Sequence, residues 1–170
     1  QFDLIDPDLG GGTGSNTGLG TRAVIFGGYI TGSDFSNTID FVTISTLGNA
    51  QDFGDSIATG FYQGGAASRT RGYAMGGQTP GNSNGVANID TIVFSSTGNA
   101  TDYGDLTQAA KFVRAVSNST RAVANLGSIG GTGLQNVLEY INMDSTGSTV
   151  DFGDLTNLHY TGATTQSSIR

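Results

Sequence analysis

Apolar residues along this chain fall in short, strand-length runs set apart by Gly, Asn, Ser and Thr, and no stretch sustains a helical apolar face for three turns. A first strand is predicted at Ala23-Val24-Ile25-Phe26, ending in Gly27-Gly28, and again at Gly72-Tyr73-Ala74-Met75, ending in Gly76-Gly77. Its third copy reads Ala122-Val123-Ala124-Asn125-Leu126-Gly127-Ser128, with one residue added. A second strand is predicted over Ile39–Ser45, Ile89–Ser95 and Leu138–Asp144. There Val42 and Ile44, Ile92 and Phe94, and Ile141 and Met143 alternate with polar neighbours, the period of a strand with one buried face. A last strand is predicted over Thr59–Ala67, Ala109–Ser117 and Leu158–Thr165. Loops of variable sequence, Tyr29–Asn37, Gln78–Ala87 and Ile129–Asn136, separate the first strand from the second.

The pattern is a tandem repeat. An acidic-aromatic-glycine-acidic tetrad occurs as Asp52-Phe53-Gly54-Asp55, Asp102-Tyr103-Gly104-Asp105 and Asp151-Phe152-Gly153-Asp154, at steps of 50 and 49 residues. Thr-Arg pairs at Arg22, Arg71 and Arg121 keep nearly the same steps, and Arg170 falls in phase with them. A segment ahead of each tetrad, Thr46-Leu47-Gly48-Asn49-Ala50, Ser96-Thr97-Gly98-Asn99-Ala100 and Ser145-Thr146-Gly147-Ser148, is a third marker in the same order. Self-similarity at this period signals a repeat architecture in which each unit is one supersecondary element. The divisions are repeat 1 at 22–70, repeat 2 at 71–120 and repeat 3 at 121–170, preceded by an arm or linker at 1–21. In that arm an acidic extended part, Gln1–Leu9, leads into a glycine-rich part.

Composition sharpens this into an all-β chain with many turns: 28 glycines stand against 2 prolines in 170 residues. The net charge of −7, with Lys111 the single lysine, removes the basic patch that phosphate binding requires, so nucleic acid is not an expected partner. Apolar runs such as Ala23–Phe26 are far too short to span a bilayer. With no cysteine, neither disulfides nor thiolate metal sites contribute. No signal peptide is visible, and a chain that starts at Gln1 reads as processed or as a piece of something longer.

An apolar strand ending in Gly-Gly, with an aromatic later in a unit of this length, resembles the kelch repeat, a four-stranded blade of a β-propeller. The usual tryptophan of that pattern is absent, and Phe53, Tyr103 and Phe152 stand where it would serve. The fuller phrasing is best seen in the second unit, Arg71–Thr120: "Thr-Arg-Gly-x-x-x-Gly-Gly", "Ile-Asp-x-Ile" and "Ser-Thr-Gly-Asn-Ala-Thr-Asp-Tyr-Gly-Asp-Leu". It resembles the kelch-like repeats of virion structural proteins of tailed phages, particularly phages of cyanobacteria. The resemblance implies a tail-fibre-type or other virion surface component. Three blades leave strand edges open, so closure is expected through oligomerisation or through further repeats in a longer chain.

The candidate chemistry is sparse. The tetrads offer pairs of carboxylates to a hard cation, but two spaced aspartates are few ligands for calcium, and the expected role is a turn whose aromatic plugs the gap between blades. Arg22, Arg71 and Arg121 are expected to pair with tetrad carboxylates as a repeated structural contact. His159 has no repeat counterpart, and no Gly-x-Ser-x-Gly element accompanies it. No catalytic site, metal or cofactor is therefore expected. The glycine run of the arm lacks the Lys-Ser/Thr of a phosphate loop. Recognition falls to the variable loops, where Tyr29, Asp34 and Phe35, and Gln78, Asn82 and Asn84, offer rings and hydrogen-bonding groups to a sugar.

The expectation is thus a structural protein of a virion surface, a tail or head fibre or decoration component, self-associating and attached to other particle proteins through residues 1–20. A cell-surface glycan is the candidate ligand. A secreted bacterial lectin-like adhesin or extracellular filament subunit is the alternative, with a glycan-degrading enzyme a distant third.

Overall fold

A computed structural model of the chain describes residues 22–30, 34–159 and 162–166. The arm at 1–21, Tyr160 and Arg170 lie outside the described residues. The described chain is all-β, with twelve strands and no helix: β1 (Arg22–Ile30), β2 (Asp34–Thr43), β3 (Gln51–Asp55), β4 (Gly64–Ala67), β5 (Arg71–Met75), β6 (Val86–Val93), β7 (Thr101–Lys111), β8 (Arg114–Ser117), β9 (Arg121–Asn125), β10 (Ser128–Ile129), β11 (Gly133–Asn142) and β12 (Val150–His159). Among the described residues, no helix is long and apolar enough to cross a membrane.

Neighbouring strands pair antiparallel in meanders. β1, β2 and β3 form one sheet. β4, β5, β6 and β7 form a second meander, and β8, β9, β11 and β12 a third. Two-residue β10 joins the last two, pairing Ser128 and Ile129 with Leu134 and Gly133 of β11 and with Lys111 and Ala110 of β7. The joined sheet curls until β4 lies beside β8, nearly closed and barrel-like. Ser117 at that seam donates its hydroxyl to the Ala67 carbonyl (2.8 Å).

The sheets are offset from the sequence repeat by one strand, because the predicted last strand is two elements. The chain turns at Tyr62 and at Phe112, fifty residues apart, where φ is +63° and +57°. Each corner separates the end of one unit from the short strand, β4 or β8, that opens the next sheet. Positive φ is uncommon for aromatic residues, and its recurrence in phase marks an element of the repeat.

The tetrads are not the turns expected. They lie inside β3, β7 and β12, each at a β-bulge. Ile39 pairs with Gly54 and Asp40 with Asp52, leaving Phe53 as the extra residue. Tyr103 and Phe152 are extra in the same way opposite Ile89/Asp90 and Leu138/Glu139. A bulge bends its strand and re-aims one side chain. Here it turns the aromatic toward the following unit. Phe53 packs with Ile39, Phe41, Ile92 and Ala100, so the first core cluster lies between units 1 and 2. Tyr103 joins Tyr73, Met75, Ala122, Ile141 and Met143 in the larger cluster between units 2 and 3. Its hydroxyl donates to the carbonyls of Asn142 (2.7 Å) and Ser145.

Backbone contacts complete the stacking. Gly98 N donates to Phe53 O (2.7 Å) and Ala100 N to Asp55 O (2.8 Å). One unit on, Gly147 N donates to Tyr103 O (3.2 Å) and Thr149 N to Asp105 O (2.8 Å). The approach is so close that a Cβ at Gly54 or Gly104 would collide with the carbonyl of Gly98 or Gly147, and both glycines hold φ near +150°. Gly153 has φ +134° but nothing within 4 Å of its Cβ position. Comparing the two positions isolates the contact from the backbone strain. Gly104→Ala is expected to destabilise the chain by about 1–3 kcal/mol more than Gly153→Ala, read by urea denaturation. Equal losses would show that the close approach contributes nothing.

Candidate functional site

The first variable loop and the first corner converge on an aromatic cleft. The rings of Tyr29 and Phe35 meet edge to face at 5.2 Å, and Phe35 stacks on Phe61 at 4.8 Å. Phe61 contacts Tyr62 at 4.6 Å, and Tyr62 meets Phe112 at 4.3 Å. The ladder therefore runs from unit 1 along both corners. Beside it lies a cavity of about 520 Å3 lined by Val24, Phe26 and Gly28 on one side and by Gln63, Gly64 and Ala74 on the other. Tyr29 is 62 % exposed and Tyr62 52 %, so two phenol rings face solvent at its rim. Rings held against one another present rigid faces at small entropic cost on binding, and the volume falls within the roughly 300–1,000 Å3 of small-ligand sites.

Of the loop residues expected to contact a ligand, Tyr29 and Phe35 enter this cleft and Asp34 sits beside it, its Oδ1 accepting the Phe35 N–H (2.9 Å). Gln78 holds the floor of the first corner by exchanging backbone hydrogen bonds with Phe61. Asn82 and Asn84 belong elsewhere. Asn82 Nδ2 donates to Gly85 O (2.9 Å) and its Oδ1 accepts the Asn84 N–H (3.0 Å), which closes their own loop. Asn84 O in turn accepts from Gly130 N (3.2 Å) in unit 3. Phe61 and Tyr62 escaped the sequence reading because they sit inside what reads as a strand. The signal that finds them is an aromatic at Tyr62 and Phe112 in the same phase.

The repeat-signature residues make contacts within their own tetrads and across the unit junctions. Asp52 and Asp151 each accept the backbone N–H of the tetrad glycine, at 3.1 and 3.3 Å. Asp55 N donates to Asn99 Oδ1 (3.0 Å), and Asp105 N to Ser148 Oγ (3.3 Å), across the unit junctions. Two of the repeat arginines make contacts that the sequence did not indicate. Arg22 donates to Phe94 O (2.5 Å) and lies over the Phe41 ring, and Arg121 lies over Tyr140. A guanidinium on a ring face keeps its rim hydrated, which suits a half-exposed junction. Among the described residues, no group of three acidic or histidine side chains could hold a metal ion.

A second repeated feature went unread. Asp90 and Glu139 are buried to 1 % exposure, in phase with Asp40. Asp90 accepts from Ile57 N (3.1 Å) and Asn88 Nδ2 (2.9 Å). Glu139 accepts from Thr107 N (3.1 Å) and from the hydroxyls of Thr107 and Thr149. Ile57 and Thr107 occupy one repeat position, so each buried acid holds the backbone of the preceding unit. Burial raises the Asp90 carboxyl above its ordinary value of 3.8, aided by Asp102 and opposed by Asn88 and Ile57. Burial also pushes the Tyr73 hydroxyl up to about 12, with Tyr103 beside it contributing.

No protein-family model and no curated protein matches this chain.

A carboxyl whose folded-state pKa is raised contributes its full stability below the unfolded-state value, and loses it as pH rises through the folded-state value. Asp90→Ala leaves two donors without an acceptor and is expected to cost about 1–3 kcal/mol. The gap from wild type should widen as pH falls from about 7 to about 4.5 in urea denaturation. A gap that narrows over that window contradicts the raised pKa.

Proposed function

We propose that this chain is a non-catalytic structural protein of a virion surface, a tail or head fibre or decoration component. In this reading its units are kelch-like propeller blades, it assembles in several copies, and it binds a cell-surface glycan. The blade reading is supported by the four-stranded meanders β4–β7 and β8–β9–β11–β12, each with a diglycine or its Leu-Gly variant after the second strand. Three units fall short of the four to eight that closed propellers use, so several copies or further units complete the ring.

The aromatic cleft carries the binding proposal. Sugars present flat C–H faces ringed by hydroxyls, and the exposed rings of Tyr29 and Tyr62 beside Gln63 offer stacking surfaces with polar groups at their edge. Among the described residues, the two buried carboxyl groups, Asp90 and Glu139, accept bonds that hold neighbouring backbone, which supports a structural role for them.

Two measurements test this reading. Calorimetric titration with host surface polysaccharide is expected to detect binding that Tyr29→Ala/Phe35→Ala weakens at least about tenfold, with the fold intact by circular dichroism. Unchanged binding in that variant would exclude the cleft. Mass spectrometry of purified phage particles should find the tryptic peptide Gly72–Lys111 at the copy number of a structural protein. Its confinement to the particle-free extracellular fraction would favour a secreted adhesin or filament subunit instead.

A further inference from the structure

The contact between units is made twice inside this chain, and among the described residues one half of it is open in unit 1 and the other in unit 3. Phe53 is 2 % exposed and Tyr103 5 %, each covered by the next unit, whereas Phe152 is 49 % exposed. Gly54 and Gly104 press on the glycine of the following turn, whereas Gly153 meets nothing. The other half is open in unit 1. Ile44 is 63 % exposed where Met143 is 6 % exposed. Ala50 is exposed where Ala100 and Thr149 are buried, and Asp40 is half-buried where Asp90 and Glu139 are sealed.

The described segment after β12 lies against the seam strand β8. Gly162–Gln166 is exposed and lies along β8, with Thr164 Oγ1 donating to Ala115 O (3.0 Å), much as β8 lies along β4. β4 and β8 each begin seven residues before an arginine, and Ala163 stands seven before Arg170. The segment thus stands, in the phase of the repeat, where β4 and β8 stand. Among the described residues, the first sheet has three strands where the later meanders have four.

We propose that a second copy of this chain docks its first unit on the third unit of this one, remaking the internal junction between molecules. The phase assigns the bonds: Gly48 N of the second copy to Phe152 O, Ala50 N of the second copy to Asp154 O, and Asp154 N to Asn49 Oδ1 of the second copy. Thr156 N, in phase with Ile57 and Thr107, meets Asp40 of the second copy. The two surfaces differ, so association runs head to tail, and it yields a closed ring where the rotation per copy permits. This inference rests on the assembly of several copies proposed above and specifies the surfaces that assembly uses.

The chain has no cysteine, so introduced thiols report without background. Asp55→Cys/Asn99→Cys places a pair across the junction of units 1 and 2 and serves as the internal control, expected to close within one chain. Asn49→Cys and Asp154→Cys, made as separate single variants and mixed at about 100 µM under oxidising conditions, are expected to give a disulfide-linked two-chain species that depends on both being present. Closure of the control with the mixture left as single chains would overturn the proposal. Native mass of the wild type separates the two levels of failure. An oligomer without the mixed disulfide overturns this junction and leaves assembly standing, and a monomer without it removes both. Protection of the Asp154→Cys thiol from alkylation, with no mixed disulfide, would place a different occupant on this face and also overturn the proposal.

Discussion

A sheet of three or four short strands buries little surface by itself, and in this chain each sheet must cover one face with the sheet of its neighbour. The bulge in the tetrad strand makes that cover possible. By adding one residue against the partner strand it turns Phe53 or Tyr103 out of its own sheet and into the next. The glycine that follows has no side chain to hold the backbones apart, so main-chain groups reach across and bond. Aromatic, glycine and flanking aspartates are one device, and the core clusters between units exist because of it. Stability in such an arrangement is closer to a sum over junctions than to a property of any one unit.

Polar groups follow the same logic. Asp90 and Glu139 are buried opposite the bulge of their own unit and accept from backbone N–H groups of the preceding unit, those of Ile57 and Thr107. A carboxylate offers about four acceptor sites on two oxygens, about twice what one carbonyl offers. Arg22 reaches the Phe94 carbonyl of the next unit, so the junction between units 1 and 2 is pinned at its edge as well as at its centre. The barrel-like curl of the joined sheet comes from β10, whose two residues tie the end of β7 to the start of β11.

Most of the strand content was legible in the sequence from local apolar pattern and tetrad spacing. The second strands, however, end one residue short of Ile44, Phe94 and Met143, and in unit 1 the buried face is Ile39 and Phe41 while Ile44 is exposed. The offset between repeat and sheet was not legible. Thr59–Ala67 and Ala109–Ser117 read as continuous strands, and only the left-handed backbone at Tyr62 and Phe112 divides them. The tetrad misled for a related reason: Asp, Gly and Asp are turn residues, and a bulge uses the same backbone freedom inside a strand. Arg22 and Arg121 lie over ring faces, Phe41 and Tyr140, which the charge pattern alone does not indicate. Half of the aromatic cleft was foreseen in Tyr29 and Phe35. The other half, Phe61 and Tyr62, comes from the corner that pattern reading missed.

The junctions are built largely from main-chain atoms, and this bears on how such a gene can change. Where neighbouring modules recognise each other through amides and carbonyls, the code between them is phase and not side-chain identity. Phe and Tyr alternate at the bulge, Asn and Ser at the facing turn, and Asp and Glu at the buried acid, and the stack persists through each exchange. A recombination event that keeps the spacing therefore delivers a module already able to stack. Loops at the module's rim, free of that requirement, are left to diversify with whatever surface they meet.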